Sequence, residues 1–96
     1  RRGSFRIEAD IDLHGLRTKD AKIALKSFVA ESNKLGLRCV RVIHGKGLRS
    51  GPAGPILKTK VTDWLAQWEE VLALVSARVH DGGAGAIYVL LRKPLK

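Results

Sequence analysis

Four consecutive residues, His44-Gly45-Lys46-Gly47, combine groups that suit the binding of a phosphate. The two glycines allow positive φ angles and the close approach of a ligand to the backbone. Lys46 supplies a positive charge, and His44 supplies a ring that titrates near neutral pH. A strand, a glycine loop and a helix N-terminus in that order commonly hold a phosphate, but the spacing here matches neither the P-loop nor the dinucleotide-binding pattern. A tight turn with solvated side chains is the alternative interpretation.

Asp12 and His14 form a second candidate group. Polar and apolar residues alternate here, which places both on the polar face of one strand, one pleat apart at its carboxyl end. His14 is suited to general acid or base catalysis, with Asp12 orienting its ring, and His44 is a candidate second acid or base. Each also has a structural alternative. His14 would cap the strand end, and Asp12 would stabilise the turn at Gly15. His44, in phase with the apolar residues of its strand, would be partly buried and structural.

Positive charge is concentrated around the glycine loop. The 96-residue chain has a formal net charge of +9, which is typical of a protein with an anionic partner. Between Glu31 and Asp63 there is no acidic residue, and this span holds seven basic ones: Lys34, Arg38, Arg41, Lys46, Arg49, Lys58 and Lys60. We expect Arg41 to face the side of the sheet that no helix covers and to follow a backbone phosphate. A solvated basic surface is the alternative.

Hydrophobic periodicity predicts the element order βαβαββ, with strands over 5–14, 37–43, 71–77 and 86–91. One helix is predicted over 18–34, with Thr18 as N-cap and Gly36 after its end, and a second helix starts at Pro55. Two crossovers make the first three strands parallel, and a glycine turn makes the fourth antiparallel. The result is an α/β fold, an α+β two-layer sandwich in which two helices cover one face of a four-stranded mixed sheet. The loops at 12–15, 44–47 and 82–85 then meet at one sheet edge, where such sheets bind ligands.

Length and composition predict a single domain with a core from about residue 5 to 93. The one cysteine, Cys39, favours a reducing, cytoplasmic compartment. No apolar run is long enough to span a membrane, so we expect no membrane partner. A chain without methionine is expected to be a fragment of a longer protein. The acidic polar face of the first strand argues against pairing at the sheet edge, so a monomer is expected.

Four stretches resemble the Smr domain, the small MutS-related family: IDLHG at 11–15, VIHGKG at 42–47, VTDWL at 61–65 and GGAGAIYVLL at 82–91. The resemblance runs from about Ile7 to Arg92, and the last stretch is most similar to the stand-alone bacterial Smr proteins. It implies a fold like the C-terminal domain of translation initiation factor 3, with the fourth strand between the second and third. It also implies nuclease activity on DNA or mRNA, in some members at stalled or collided ribosomes. The family's functional residues map onto Asp12, Leu13 and His14 and onto the Gly45-Lys46-Gly47 loop.

Residues and resemblance together predict an endonuclease that nicks DNA or cleaves RNA at a basic, glycine-rich edge. The predicted catalytic residues are Asp12, His14 and His44, and the predicted nucleic-acid-binding residues are Leu13, Gly15, Arg41, Gly45, Lys46, Gly47, Arg49, Lys58 and Lys60. Lys46 and the amides of Gly45 and Gly47 would bind the scissile phosphate.

No metal ligand is predicted for this edge. Cleavage with Mg²⁺ and metal-independent cleavage through a ribose 2′-hydroxyl both stay open, although a two-metal site would want more carboxylates than the edge offers. A non-catalytic module that binds nucleic acid or the ribosome is the alternative function. Binding of a small phosphorylated metabolite is a third, which leaves the basic run unexplained.

Overall fold

The computed structural model describes residues 6–46 and 54–94, with side chains from residue 56 onward in the second range. The elements are β1 (Ala9–Asp12), α1 (Thr18–Lys34), β2 (Cys39–Ile43), α2 (Gly54–Gln67), β3 (Val71–Ser76) and β4 (Ala86–Leu91), with two 3₁₀ turns, Val79–Asp81 and Gly83–Gly85, before β4. This is the predicted order βαβαββ. Within the described ranges, neither α1 nor α2 has the length and apolar content that a membrane-spanning helix needs.

The four strands form one mixed sheet in the order β1-β2-β4-β3. β1 and β2 are parallel, and β4 is antiparallel to both of its neighbours, β2 and β3. β3 therefore runs in the same direction as β1 and β2, which confirms the predicted topology with the fourth strand between the second and third. The carboxyl ends of β1, β2 and β3 and the start of β4 share one edge of the sheet.

Both helices pack against the same face of the sheet. Val40 and Val42 of β2 and Val89 of β4 point to this face and are fully buried. The helices contribute one apolar side each to the same core, with Ala21, Leu25 and Val29 from α1 and Leu57, Val61 and Leu65 from α2. Their helical spacing explains why one side of each helix is buried and the other is solvated.

The ends of α1 are set by its flanking residues. Arg17 has the extended backbone of the N-cap position and no side chain caps the helix, so the prediction of Thr18 as N-cap is wrong by one residue. Gly36 ends the helix as predicted, with a φ of 82° and its amide donating to the carbonyl of Asn33 at 3.0 Å. The Lys26 ammonium lies 4.7 Å from the ring centroid of Trp68, the residue that follows α2, which adds a cation–π contact between α1 and the end of α2.

β1 pairs over four residues, although alternation predicted a strand over 5–14. Among the described strands it pairs with β2 alone, which is five residues long, and alternation without a partner does not make a strand. Before β1, Oε1 of Glu8 accepts the backbone N–H groups of Arg38 at 2.7 Å and Cys39 at 3.1 Å. These hydrogen bonds lower the pKa of the Glu8 carboxyl and hold the chain beside the start of β2. Residue 5 lies outside the described part.

Candidate active site at the carboxyl edge of the sheet

Asp12 and His14 form a hydrogen-bonded pair at the end of β1. Oδ1 of Asp12 lies 2.6 Å from Nδ1 of His14 and 3.1 Å from the backbone nitrogen of His14. The His14 side chain is 59% exposed and the Asp12 side chain 50% exposed. The pair is therefore accessible to a ligand as large as a polymer.

The pairing determines which nitrogen of His14 is available for chemistry. Partial desolvation acts to raise the pKa of the Asp12 carboxyl, but the hydrogen bonds from the ring and backbone of His14 outweigh it, so this pKa lies below its ordinary value. Asp12 is therefore ionised at neutral pH and only accepts hydrogen bonds, which places the ring proton of His14 on Nδ1. Nε2 of the neutral ring then carries a lone pair and accepts a proton, and the charged ring donates one.

Leu13 lies between the two members of the pair and points into the core. Its side chain is fully buried, and its backbone N–H donates to the carbonyl of Ile43 at 2.7 Å. A side chain without exposed surface does not contact a polymer, so the prediction of Leu13 as a nucleic-acid-binding residue is corrected. Leu13 anchors the end of β1 in the hydrophobic core. Gly15 is exposed, and its φ of 84° turns the chain towards α1.

The glycine loop after β2 is held by the turn before β4. The backbone N–H groups of His44 and Gly45 both donate to the carbonyl of Gly85, at 2.9 and 3.0 Å. The Gly45 amide is committed to this bond, which corrects the prediction that it is a free donor for a phosphate. Gly85 itself is buried, and a Cβ there would lie 3.2 Å from Cγ of Lys46. Gly47 lies outside the described residues.

The His44 side chain is fully buried beneath this loop. Its Nδ1 lies 2.8 Å from the carbonyl of Gly45, to which it donates. Burial is the main reason why the pKa of His44 is lowered; the hydrogen bond to Gly45 opposes this, and the nearby charge of Lys58 adds to it. The sequence alternative was a partly buried ring, from its phase with the apolar residues of β2, and the structure buries the ring fully. A role as second acid or base stays a prediction, and it requires the ring to become accessible.

Arg41 is held by acidic groups on the face of the sheet opposite the helices. Its Nη2 donates to Oδ2 of Asp10 at 3.0 Å, and its Nη1 donates to the carbonyl of Asp81 at 3.2 Å. Nη1 also lies 3.8 Å from Oδ1 of Asp81, and the Arg41 side chain is only 23% exposed. The face was predicted correctly. The predicted phosphate contact stays a prediction, and two carboxylates already pair with the guanidinium.

The chain between β3 and β4 folds over the carboxyl end of that face. The hydroxyl of Tyr88 donates to Oδ2 of Asp81 and accepts the backbone N–H of Arg78 at 3.3 Å. The hydrogen bond between the two side chains is the main cause of the lowered pKa of Asp81 and of the raised pKa of Tyr88. Sequence reasoning missed this group. The phase of β4 places Tyr88 opposite Arg41, but no periodicity describes the turn that brings Asp81.

Two of the predicted basic residues border this edge. Lys46 lies in the glycine loop and is exposed. Lys58 is exposed on α2 and lines a cavity together with His44. Lys60 is exposed on the same helix, and Arg49 lies outside the described residues. In the parts of the chain that the structure describes, no three His, Cys, Asp or Glu side chains group as metal ligands would. The edge thus offers a proton-transfer pair and two ammonium groups.

Comparisons with known proteins lead to one family. The Smr domain profile matches residues 11–92. Ribosome rescue factor SmrB of Aliivibrio fischeri (strain MJ11) is 42% identical over 94 residues, which are 98% of this chain and 50% of that protein. Probable DNA endonuclease SmrA of Escherichia coli (strain K12) is 34% identical over 97% of this chain and 50% of that protein. The crystal structure of YdaL, a stand-alone small MutS-related protein from Escherichia coli, matches with a TM-score of 0.82 and 34% identity over 95% of this chain and 70% of that chain.

Proposed function

We propose that this chain, which belongs to the Smr domain family, is an endonuclease that cuts a phosphodiester bond at the carboxyl edge of its sheet. The chain spans about half the length of the curated relatives it matches, so the activity of those whole proteins enters only as part of this proposal. RNA is the first candidate substrate, because the relative with 42% identity is named for the ribosome. DNA is the second, from the relative named as a probable DNA endonuclease. A cytoplasmic location belongs to the same proposal.

The observation that carries the proposal is the exposed hydrogen bond of 2.6 Å between Asp12 and His14. A carboxylate on Nδ1 fixes the tautomer and the orientation of the ring, and it stabilises the charged ring that forms when Nε2 takes a proton. A histidine that only ends a strand needs no such partner. The pair is also accessible, as a residue that acts on a polymer must be.

On RNA, the step that suits this pair needs no other nucleophile. Nε2 of His14 takes the proton of a ribose 2′-hydroxyl, and the 2′-oxygen attacks the adjacent phosphorus while the bond to the 5′-oxygen breaks. The leaving 5′-oxygen takes a proton from water, which leaves a 2′,3′-cyclic phosphate and a 5′-hydroxyl end. The Lys46 ammonium balances the charge that develops on the phosphoryl oxygens. On DNA, which lacks the 2′-hydroxyl, water is the nucleophile and a substrate-bound Mg²⁺ is a candidate for activating it.

A non-catalytic module that binds nucleic acid or the ribosome is the second candidate function. The ammonium groups of Lys46 and Lys58 at this edge suit it equally well, because phosphate contacts alone provide affinity without chemistry. The two functions differ in what His14 does. A binding module loses affinity with its lysines and has no use for a proton acceptor.

The test incubates the protein with single-stranded RNA and, separately, with supercoiled plasmid, each with Mg²⁺ and with a chelator. Replacing His14 by Ala is expected to lower the cleavage rate by about 10²- to 10⁴-fold, the usual loss on removing a general acid or base, with nucleic-acid affinity nearly unchanged. His80→Ala is the matched control, since His80 is also exposed and is assigned no role. Replacing Asp12 by Asn keeps the shape and removes the charge, so the rate should fall with binding retained.

The outcomes separate the two functions. RNA cleavage that survives the chelator and is lost with His14→Ala supports the 2′-hydroxyl route. Plasmid nicking that requires metal supports DNA hydrolysis. If neither substrate is cut while salt-sensitive binding remains, the chain is a binding module. If His14→Ala loses binding in proportion to cleavage, the assignment of His14 as the proton acceptor is wrong.

A further inference from the structure

A cavity of about 330 Å³ lies beside the glycine loop, between α2, the end of β3 and the start of β4. We call it the His44 cavity. Its lining includes His44, Lys58, Thr62, Ser76 and Ala84. Its volume is at the lower end of the range of small-ligand pockets, which suits a molecule of about the size of one nucleotide. Nothing in the proposed cleavage chemistry uses this cavity.

One ring nitrogen of His44, a residue that lines the cavity, lacks a partner. Nδ1 of His44 donates to the carbonyl of Gly45 at 2.8 Å, so Nε2 of the neutral ring is a hydrogen-bond acceptor. This Nε2 is buried and makes no hydrogen bond. Native proteins satisfy nearly all their buried polar atoms, and an exception is one mark of a place where a ligand or an ordered water binds.

The rest of the lining restricts the chemistry of that partner. Lys58 provides a positive charge, which favours an anionic group. The Thr62 hydroxyl already donates to the carbonyls of Lys58 and Thr59, at 3.1 and 3.0 Å, so towards the cavity it offers lone pairs. The side chains of Ala84 and Ile87 make a further part of the wall apolar. A suitable ligand thus has a hydrogen-bond donor, an apolar body and a negative charge.

We propose that the His44 cavity holds one unpaired nucleotide of the bound strand, with its phosphate beside Lys58. Its base donates a hydrogen bond to Nε2 of His44 once the wall of the cavity yields and exposes that atom. Every nucleobase carries an N–H donor and an apolar ring face, and unpaired bases are commonly turned out of a strand into such pockets. A single acceptor does not discriminate between bases, so the cavity selects for an unpaired nucleotide and not for a sequence. This inference rests on the proposed function, since only a strand bound at this edge brings a base to the cavity.

The experiment follows the ring nitrogens of His44 by long-range ¹H–¹⁵N NMR in the full chain. The first probes are adenosine and uridine 5′-monophosphate, added at millimolar concentration to the wild-type chain. A single-stranded oligonucleotide is then added to the His14→Ala chain, which leaves it uncut. The Nε2 resonance of His44 should move on addition of each probe, because it gains a hydrogen bond. Ala84→Phe fills the cavity and should weaken oligonucleotide binding by about tenfold or more, the loss expected when one base no longer packs. Ala66→Phe, at an exposed position on α2, should change binding by less than about twofold.

The outcomes distinguish this inference from the proposed function. If the oligonucleotide moves the resonances of Asp12 and Lys46 and leaves Nε2 of His44 unchanged, the cavity does not hold a nucleotide, and the edge still binds the strand. Equal binding by Ala84→Phe and Ala66→Phe would overturn the inference in the same way. If no resonance at this edge responds and no substrate is cut, the inference and the proposed function both fail.

Discussion

Replacing Gly85 by Ala should impair function much more than stability. A Cβ at this position would lie 3.2 Å from Cγ of Lys46 and 3.4 Å from the carbonyl carbon of Gly45. Carbon atoms pack best at about 3.5–4.0 Å, so Lys46 must move by a few tenths of an ångström. Its side chain is exposed and rotates easily, which keeps the loss of unfolding free energy below about 1 kcal/mol, less than for a rigidly packed core. The displaced Lys46, however, is the group that we propose to balance charge on the phosphate. A shift of about 1 Å in a site can cost about 10²-fold in rate, so this smaller one should cost roughly tenfold.

The assay measures urea unfolding and RNA cleavage on the same preparations. Gly36→Ala is the matched control, because it also adds one methyl group at a glycine, at the end of α1. No atom lies within 4 Å of its new Cβ, but the φ of +82° is unfavourable for alanine and should lower the unfolding free energy by about 1 kcal/mol or more. We therefore expect Gly36→Ala to lose stability with full cleavage, and Gly85→Ala to lose cleavage with nearly full stability.

Two results would refute this reasoning. Wild-type cleavage by Gly85→Ala would mean that the placement of Lys46 does not matter for the reaction. A stability loss in Gly85→Ala as large as in Gly36→Ala would mean that the glycine loop cannot yield, and the functional loss would then reflect unfolding.

Two further predictions concern groups outside the exposed pair. His44 has a lowered pKa in the folded chain, so between the unfolded pKa of about 6.5 and the lower folded value only the unfolded chain takes up the proton. The unfolding free energy should therefore fall as the pH falls through this window, by at most about 1.4 kcal/mol per pH unit. Urea unfolding of His44→Gln should lack this pH dependence. An unchanged dependence in the variant would assign it to other groups. Tyr88→Phe removes the hydroxyl that binds Asp81 in the turn before β4. The Gly85 carbonyl of the same turn accepts the amides of His44 and Gly45, so hydrogen exchange at these two amides should be faster than in the wild type. Unchanged exchange would show that the turn does not need the Tyr88–Asp81 bond.

Most of the fold could be predicted from local patterns. β4 was predicted with its observed bounds, because an apolar run between a glycine turn and a basic tail has few other interpretations. The predicted first strand was longer than β1, since alternation records which side a residue faces and not whether a neighbouring strand reaches that far. Leu13 shows the same limit in the site. Its apolar side chain, between two polar residues of an alternating run, is typical of a buried position, and only the family resemblance made it a binding residue.

The partners of charged groups were harder to predict than their faces. Arg41 was assigned to the correct side of the sheet, but its neutralisation by Asp10 and Asp81 depends on a register and a turn that no local pattern encodes. The Gly45 amide was likewise expected to be free, and its acceptor, the carbonyl of Gly85, comes from 40 positions later in the chain. Asp12 and His14 were predicted correctly as neighbours, because a spacing of two on a strand fixes their relative position without any distant partner.

The burial of Leu13 couples heat inactivation to the melting of the whole domain. Asp12 and His14 flank a side chain that is fully buried among both helices and the sheet. A local opening that separated the pair would have to extract Leu13 from the core, and such an opening approaches the free energy of global unfolding. The reactive pair therefore has no melting transition of its own. Residual activity on heating should follow the fraction of folded protein, with no inactive folded state preceding the transition.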